Sequence, residues 1–140
     1  MDIQEVKKLD TYLKKLFANS RLRVVPKKAD AADVFVGEEK IGNLTVDDED
    51  DERSYNLEIK ITMGEGADIK NLKTLEAYLR RKFDNERIRV TARQRKTDSA
   101  EVYIGEEYIG VLFFDEKGTQ SCYFEMAILA FDLEDVGLGR

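Results

Sequence analysis

The chain has 140 residues, with 23 lysines and arginines against 29 aspartates and glutamates, a formal charge of -6. That length holds one ordinary domain or two minimal ones. The 37% of charged residues predicts a soluble protein, and the acidic balance argues against bulk affinity for polyanions.

In chain order, the first element is an amphipathic helix. Val6, Leu9, Leu13, Leu16 and Phe17 fall at helical spacing, with Lys7, Lys8, Asp10, Lys14 and Lys15 on the opposite side. Asp2 followed by Glu5 has the spacing of a capping box. Asn19 is the expected stop, because asparagine tolerates the left-handed conformation that ends many helices. The period then changes to two. Leu22 and Val24 alternate with Arg21 and Arg23, the pattern of a strand with one buried face. A hairpin follows, with strands at 33–36 and 41–46 and a tight turn at 37–40. Ile41 and Leu44 cannot share a face in perfect register, so Gly42 marks a bulge. After the acidic run DDEDDE at 47–52 comes a last strand, with Tyr55, Leu57, Ile59 and Ile61 facing inward.

The chain then repeats itself. Residues 7–24 realign on 73–90, an offset of about 66, and residues 34–47 on 102–115, an offset of about 68. A two-residue insertion therefore separates the two blocks, and self-similarity of this kind decides the architecture. The second helix carries Leu72, Leu75, Leu79 and Phe83, with Asp68 as expected N-cap and Asn85 as expected stop; Lys82 replaces Leu16 and narrows the stripe. Ile88, Val90 and Ala92 alternate with Arg87, Arg89 and Arg93, and a hairpin runs from 101–104 to 109–114 with a bulge at Gly110. Phe124, Met126 and Ile128 point inward on the last strand, where the aligned repeats set Cys122 against Ser54. In the remaining stretch, 130–140, Phe131 and Leu133 are expected to fold back onto the body.

The expected fold is thus α+β: a tandem duplication of an α-β-β-β-β module, each a helix on an antiparallel meander sheet. The two copies are expected to pair as a pseudo-twofold dimer. The boundaries are 1–61 for the first module, 62–67 (TMGEGA) for a short joint, 68–129 for the second module and 130–140 for a tail.

Three separated segments carry a resemblance: LEAYLRRKFDN at 75–85, VYIGEEYIGVL at 102–112 and FEMAILAFDLE at 124–134. Together they resemble a family of short alphaproteobacterial proteins classed as a domain of unknown function, whose members are about one module long. The resemblance implies a tandem duplication or a fusion, and it brings no activity, cofactor or catalytic residue. Copy one departs from the pattern at Lys40, Asn43 and Asn56, where copy two has Tyr108, Val111 and Phe124.

Catalytic chemistry is hard to build from these residues. There is no histidine, which removes the commonest general base and transition-metal ligand. No glycine-rich phosphate loop precedes a helix. The pairs Glu38/Glu39 and Glu106/Glu107 sit in hairpin turns, and adjacent residues there point different ways. DDEDDE lacks the glycine and the distant glutamate of a calcium loop. Cys122 is the only cysteine, so no intramolecular disulfide or cysteine-based metal site is possible, and it fits a strand better than a nucleophile. No apolar run approaches the length of a membrane span and the N-terminus is no signal peptide, so the expected location is cytoplasmic, with no membrane partner. No enzyme, cofactor or metal is expected.

The outward strand positions of copy two are more informative: Arg87, Arg89, Arg93, Tyr103, Val111 and Phe113, with Tyr108 beside them. Copy one has Arg21, Arg23, Phe35, Asn43 and Thr45 there. The VLFF strand is apolar on both faces, which implies a covered second face, and aromatics with arginine are the composition of interface cores. That surface either packs the copies together, binds a protein partner or a second chain, or binds nucleic acid. The expected function is a small non-enzymatic protein–protein interaction module. One alternative is a single-stranded nucleic-acid binder, with Tyr103 and Phe113 stacking on bases and Arg87, Arg89, Arg93 and Arg95 on phosphates. The other is a small-ligand binder between the modules.

Overall fold

A computed structural model describes residues 1–48, 52–62, 71–114 and 121–134. Half of the acidic run and most of the 62–67 joint and of the tail lie outside the described residues, as do Asp68, residues 115–120 and the side chains of Lys96 and Thr97.

The fold is α+β and carries the helix-plus-four-strand module twice. The first copy is α1 (Ile3–Leu16), β1 (Leu22–Lys28), β2 (Ala31–Val36), β3 (Glu39–Asp47) and β4 (Ser54–Thr62). The second is α2 (Leu72–Phe83), β5 (Ile88–Arg93), β6 (Lys96–Ile104), β7 (Glu107–Phe114) and β8 (Ser121–Leu129), followed by the short helix α3 (Ala130–Glu134). Hydrogen bonding orders the strands β1-β2-β3-β4-β8-β7-β6-β5. By contact the chain forms two compact units, Met1–Leu57 with Ala127–Arg140, and Glu58–Met126. Each copy's last strand, β4 or β8, therefore contributes residues to both units.

In the first unit, Asp2 caps α1 by accepting from the Glu5 amide at 2.8 Å, and Glu5 accepts from the Asp2 amide at 3.0 Å, the expected capping box. Val6, Leu9, Leu13 and Phe17 are buried along one side of the helix. The helix does not end on a left-handed asparagine. Ala18 takes that conformation (φ 50°), and the Asn19 amide donates to the Lys14 carbonyl at 3.0 Å, which closes the last turn. Asn19 itself is buried and accepts the Arg21 amide at 2.8 Å on its side chain. Its polar group is spent on launching β1 rather than on the cap. At the far end, α3 touches α1 and Leu133 is buried, whereas Phe131, expected to fold inward, is 60% exposed.

The second unit repeats these devices. Asp84 is the left-handed residue (φ 49°), and Asn85 accepts the Arg87 amide at 2.8 Å. Asn71, not Asp68, caps α2, accepting from the Lys73 and Thr74 amides at 3.1 and 3.3 Å. Leu75, Leu79 and Phe83 are buried beneath it. The two extra residues lie in the β5–β6 hairpin, where Arg95 adopts φ 65°. Ala92, expected inward, is exposed; it is the last residue of β5, the terminal strand, before the register shifts.

Both bulges are present. Phe35 pairs with Lys40 and Val34 with Gly42, which leaves Ile41 as the extra residue. Ile109 is extra in the same way between Tyr108 and Gly110. That single insertion turns Ile41 and Leu44, and Ile109 and Leu112, onto one buried face. Leu13, Phe17, Val24, Leu79, Phe83 and Val90, expected to face the core, are buried, and so are Val36, Ile41, Leu44, Ile104, Ile109 and Leu112 of the hairpins.

The last strands correct the alignment of the repeats. Tyr55, Leu57, Ile59 and Ile61 are buried on β4, and Cys122, Phe124, Met126 and Ile128 on β8. Ser54 therefore corresponds to Ser121, Tyr55 to Cys122, Asn56 to Tyr123 and Leu57 to Phe124, one residue from the pairing the sequence blocks suggest. The inward alternation of each strand fixes the match, while the gap falls in the acidic turn.

Candidate functional site: the outer sheet face of the second unit

Cross-strand partners in an antiparallel sheet share a face, and residues two apart on a strand return to it. With Ile88, Val90, Val102, Ile104 and Leu112 turned inward, the register places three rows on the opposite face. Nearest the β6–β7 turn the row is Arg89, Tyr103 and Tyr108. The middle row is Thr91, Glu101, Val111 and Glu125. The third is Ser99, Phe113 and Tyr123, with the Arg93 guanidinium donating to Ser99 Oγ at 3.0 Å.

The first row is an ordered stack. Arg89 Nε donates to the Gly105 carbonyl at 2.7 Å, which holds its guanidinium 5.0 Å from the centre of the Tyr103 ring. Tyr103 and Tyr108 meet edge to face, with centres 5.7 Å apart and planes at 72°. The Tyr103 hydroxyl lies 3.5 Å from Glu101. Partial burial and the Glu101 carboxylate push the Tyr108 phenol above its ordinary pKa, against the opposing charge of Arg93. Even so, Tyr108 is 51% exposed and Phe113 38% exposed, with Val111 half-buried between them.

The same rows in the first unit have other chemistry. Arg23 donates to the Gly37 carbonyl and lies 4.9 Å from the centre of the Phe35 ring, so the Arg–aromatic stack recurs. Beyond it stand Lys40, ion-paired to Asp33 at 3.3 Å, and the exposed Asn43 and Thr45, in place of Tyr108, Val111 and Phe113. That is the ordinary solvent face of an antiparallel sheet.

Of the seven residues expected at the site, six share this face: Arg89, Arg93, Tyr103, Tyr108, Val111 and Phe113. Arg87 precedes β5 and packs its guanidinium on Gly105, where a Cβ would stand 2.5 Å from Nη2. Gly105 also has φ +61°, so it is glycine for two reasons. Arg21 and Gly37 repeat the arrangement in the first unit. Arg95 lies in the β5–β6 turn. Sequence reasoning missed Glu125 and Tyr123 and did not weigh Glu101; the inward alternation Cys122, Phe124, Met126 was the available signal for the first two.

The remaining polar features are structural or exposed. Glu38, Glu39, Glu106 and Glu107 sit exposed in and beside the hairpin turns. Cys122 is buried, and burial pushes its thiol up to about 12, which makes it a poor nucleophile at neutral pH. Among the described residues no acidic or cysteine side chains group as a metal site, and no helix is long and apolar enough to cross a membrane.

No curated protein and no solved structure matches the chain. A family model matches it twice, over residues 5–63 and again over 71–132, the two copies seen in the repeat and in the fold. The chain belongs to that family, described as Protein of unknown function (DUF3126).

Proposed function

We propose that this chain is a small, non-enzymatic, cytoplasmic protein-interaction module that binds its partner on the outer face of the second unit. The observation that carries the reading is the exposure of Tyr108 and Phe113 on one face with Tyr103, Val111, Arg89 and Arg93. A solvated antiparallel strand normally alternates, and the first unit does so at the same positions. The departure in the second unit has the make-up of an interface core: aromatic residues and arginine, with tyrosines that combine apolar area and a polar tip.

A nucleic acid suits this face less well. Stacked bases on Tyr103 and Phe113 would lay phosphates over the row holding Glu101 and Glu125, and the chain as a whole is at -6. Catalysis has little to draw on, since histidine is absent and the one thiol is buried and held protonated.

The test is affinity capture from lysate of the source cells, with the wild type and a Tyr108→Ser/Phe113→Ser variant side by side. A protein recovered by the wild type and lost with the variant is the expected result. Recovery of the same proteins by both, or of nucleic acid that salt releases, would remove the reading.

A further inference from the structure

We propose that the outer face of the second unit is a homodimer interface, on which a second copy of this chain docks face to face with the twofold axis running along the strands. This rests on the reading of that face as an interaction surface and names its occupant.

The distribution of charge across the strands points to it. Taken in the order β5-β6-β7-β8, the face carries cations at one side, Arg89 and Arg93. The apolar and aromatic Tyr103, Tyr108, Val111 and Phe113 stand in the centre, together with Glu101 on β6, and Glu125 and Tyr123 stand at the other side. A half-turn about an axis parallel to the strands reverses that order in the opposing copy. It sets β5 over the partner's β8 and the aromatic centre over its own image. Arg89 and Arg93 then flank the carboxylate of the partner's Glu125, and Glu125 meets the partner's arginines in return. Glu101 lies one row from the partner's Tyr108, whose hydroxyl is a donor for it.

The other face-to-face half-turn, about an axis across the strands, would lay β5 on β5 and arginine on arginine, a like-charge contact that specific interfaces avoid. The face is therefore self-complementary in one orientation, the requirement of an isologous twofold contact. The first unit does not share the pattern. Lys40, Asn43 and Thr45 leave its face polar, which stops assembly at a dimer. Four strands about 4.8 Å apart and three rows about 6.8 Å apart make a patch of roughly 15 by 15 Å, about 450 Å² over both copies, which is below the size of stable interfaces and fits only a weak, transient one. The dimer is accordingly a weak one.

Sedimentation velocity on the full chain tests this, from about 1 to 300 µM, a span that brackets micromolar dissociation constants. The mass should rise from 16.1 kDa toward twice that value with concentration. Tyr108→Ser/Phe113→Ser should weaken association at least about tenfold, the result of losing a central aromatic pair. Arg89→Glu/Arg93→Glu and Glu125→Arg should each be monomeric alone. Mixed in equal amounts they should form a heterodimer, because each supplies the charge that the other now needs. Circular dichroism confirms that each variant is folded.

A wild type that stays monomeric throughout, or a dimer indifferent to Tyr108→Ser/Phe113→Ser, overturns the proposal. So does a mixture of folded charge variants that associates no better than its components. A monomeric wild type whose capture of a different protein still depends on Tyr108 and Phe113 would end the homodimer and leave the interaction surface standing. Loss of both would end both.

Discussion

Glu5 offers a quantitative test of how the first unit is held together. Its carboxylate accepts from Arg53 Nε and Nη2, from the Tyr55 hydroxyl and from the Asp2 amide, so it ties the start of α1 to β4. Arg53 in turn bridges to Asp48 at 2.9 and 3.0 Å. Among the described residues the second copy has none of this, with Asn71 and Cys122 at the positions of Glu5 and Tyr55. Partial burial alone would raise the Glu5 pKa, but the hydrogen bonds from Arg53, Tyr55 and Asp2, and the Arg53 charge, outweigh it and hold it at about 2, against an ordinary 4.5. At full strength that difference is worth about 3 kcal/mol. The Arg53 side chain is 37% exposed, so solvent screening reduces it to about 1–2 kcal/mol. The folded value lies below the unfolded one. The contribution is therefore complete above about pH 4.5 and is lost as pH falls toward 2. Glu5→Gln should cost about 1–2 kcal/mol in urea unfolding at pH 7, and the gap from wild type should shrink to less than half by about pH 3. Equal stability at pH 7, or a gap that is the same at both pH values, would refute the reasoning.

Phe83→Ala removes a fully buried ring from beneath α2 and should cost about 3–5 kcal/mol in the same assay; a loss below about 1 kcal/mol would mean that the helix face is misassigned. Gly110→Ala should cost about 1–3 kcal/mol by overpacking. The added Cβ would stand 2.5 Å from the Glu125 carbonyl oxygen and 2.8 Å from the Phe124 ring, and full stability would show that β8 yields there. Cys122 should stay unreactive toward a thiol reagent at pH 8 until the protein is unfolded, since burial holds it protonated; rapid labelling of the folded chain would contradict its position.

Much of this was legible because periodicity records burial directly. The stripe from Val6 to Phe17 and the alternation from Tyr55 to Ile61 define one inward face each. The conflict of parity between Ile41 and Leu44 required a bulge, and one is present. The misses have physical causes. Asparagine serves equally in a left-handed cap and in a side-chain turn, and tertiary packing chose the second for Asn19 and Asn85. Capping by Asn71 was obscured by Asp68, a residue type that caps as well. Phe131 is apolar but falls on the open side of a five-residue helix, where Leu133 takes the buried position. At the candidate site, the apolar and cationic residues were evident from composition. The place of Glu125 was not, because setting it beside Val111 depends on the register of β7 with β8, and a connecting segment of different length in the two copies hides that register in an alignment.

The central claim, that one face of the second unit engages a protein and its counterpart in the first unit does not, is tested most directly by site-specific photo-crosslinking in living cells. A photoreactive amino acid is placed at Tyr108 in one version of the protein and at the corresponding Lys40 in another. Discrete protein adducts are expected from position 108, abolished by Phe113→Ser, and none from position 40. Equal adducts from both positions, or none from 108 while the protein is folded and abundant, would contradict it.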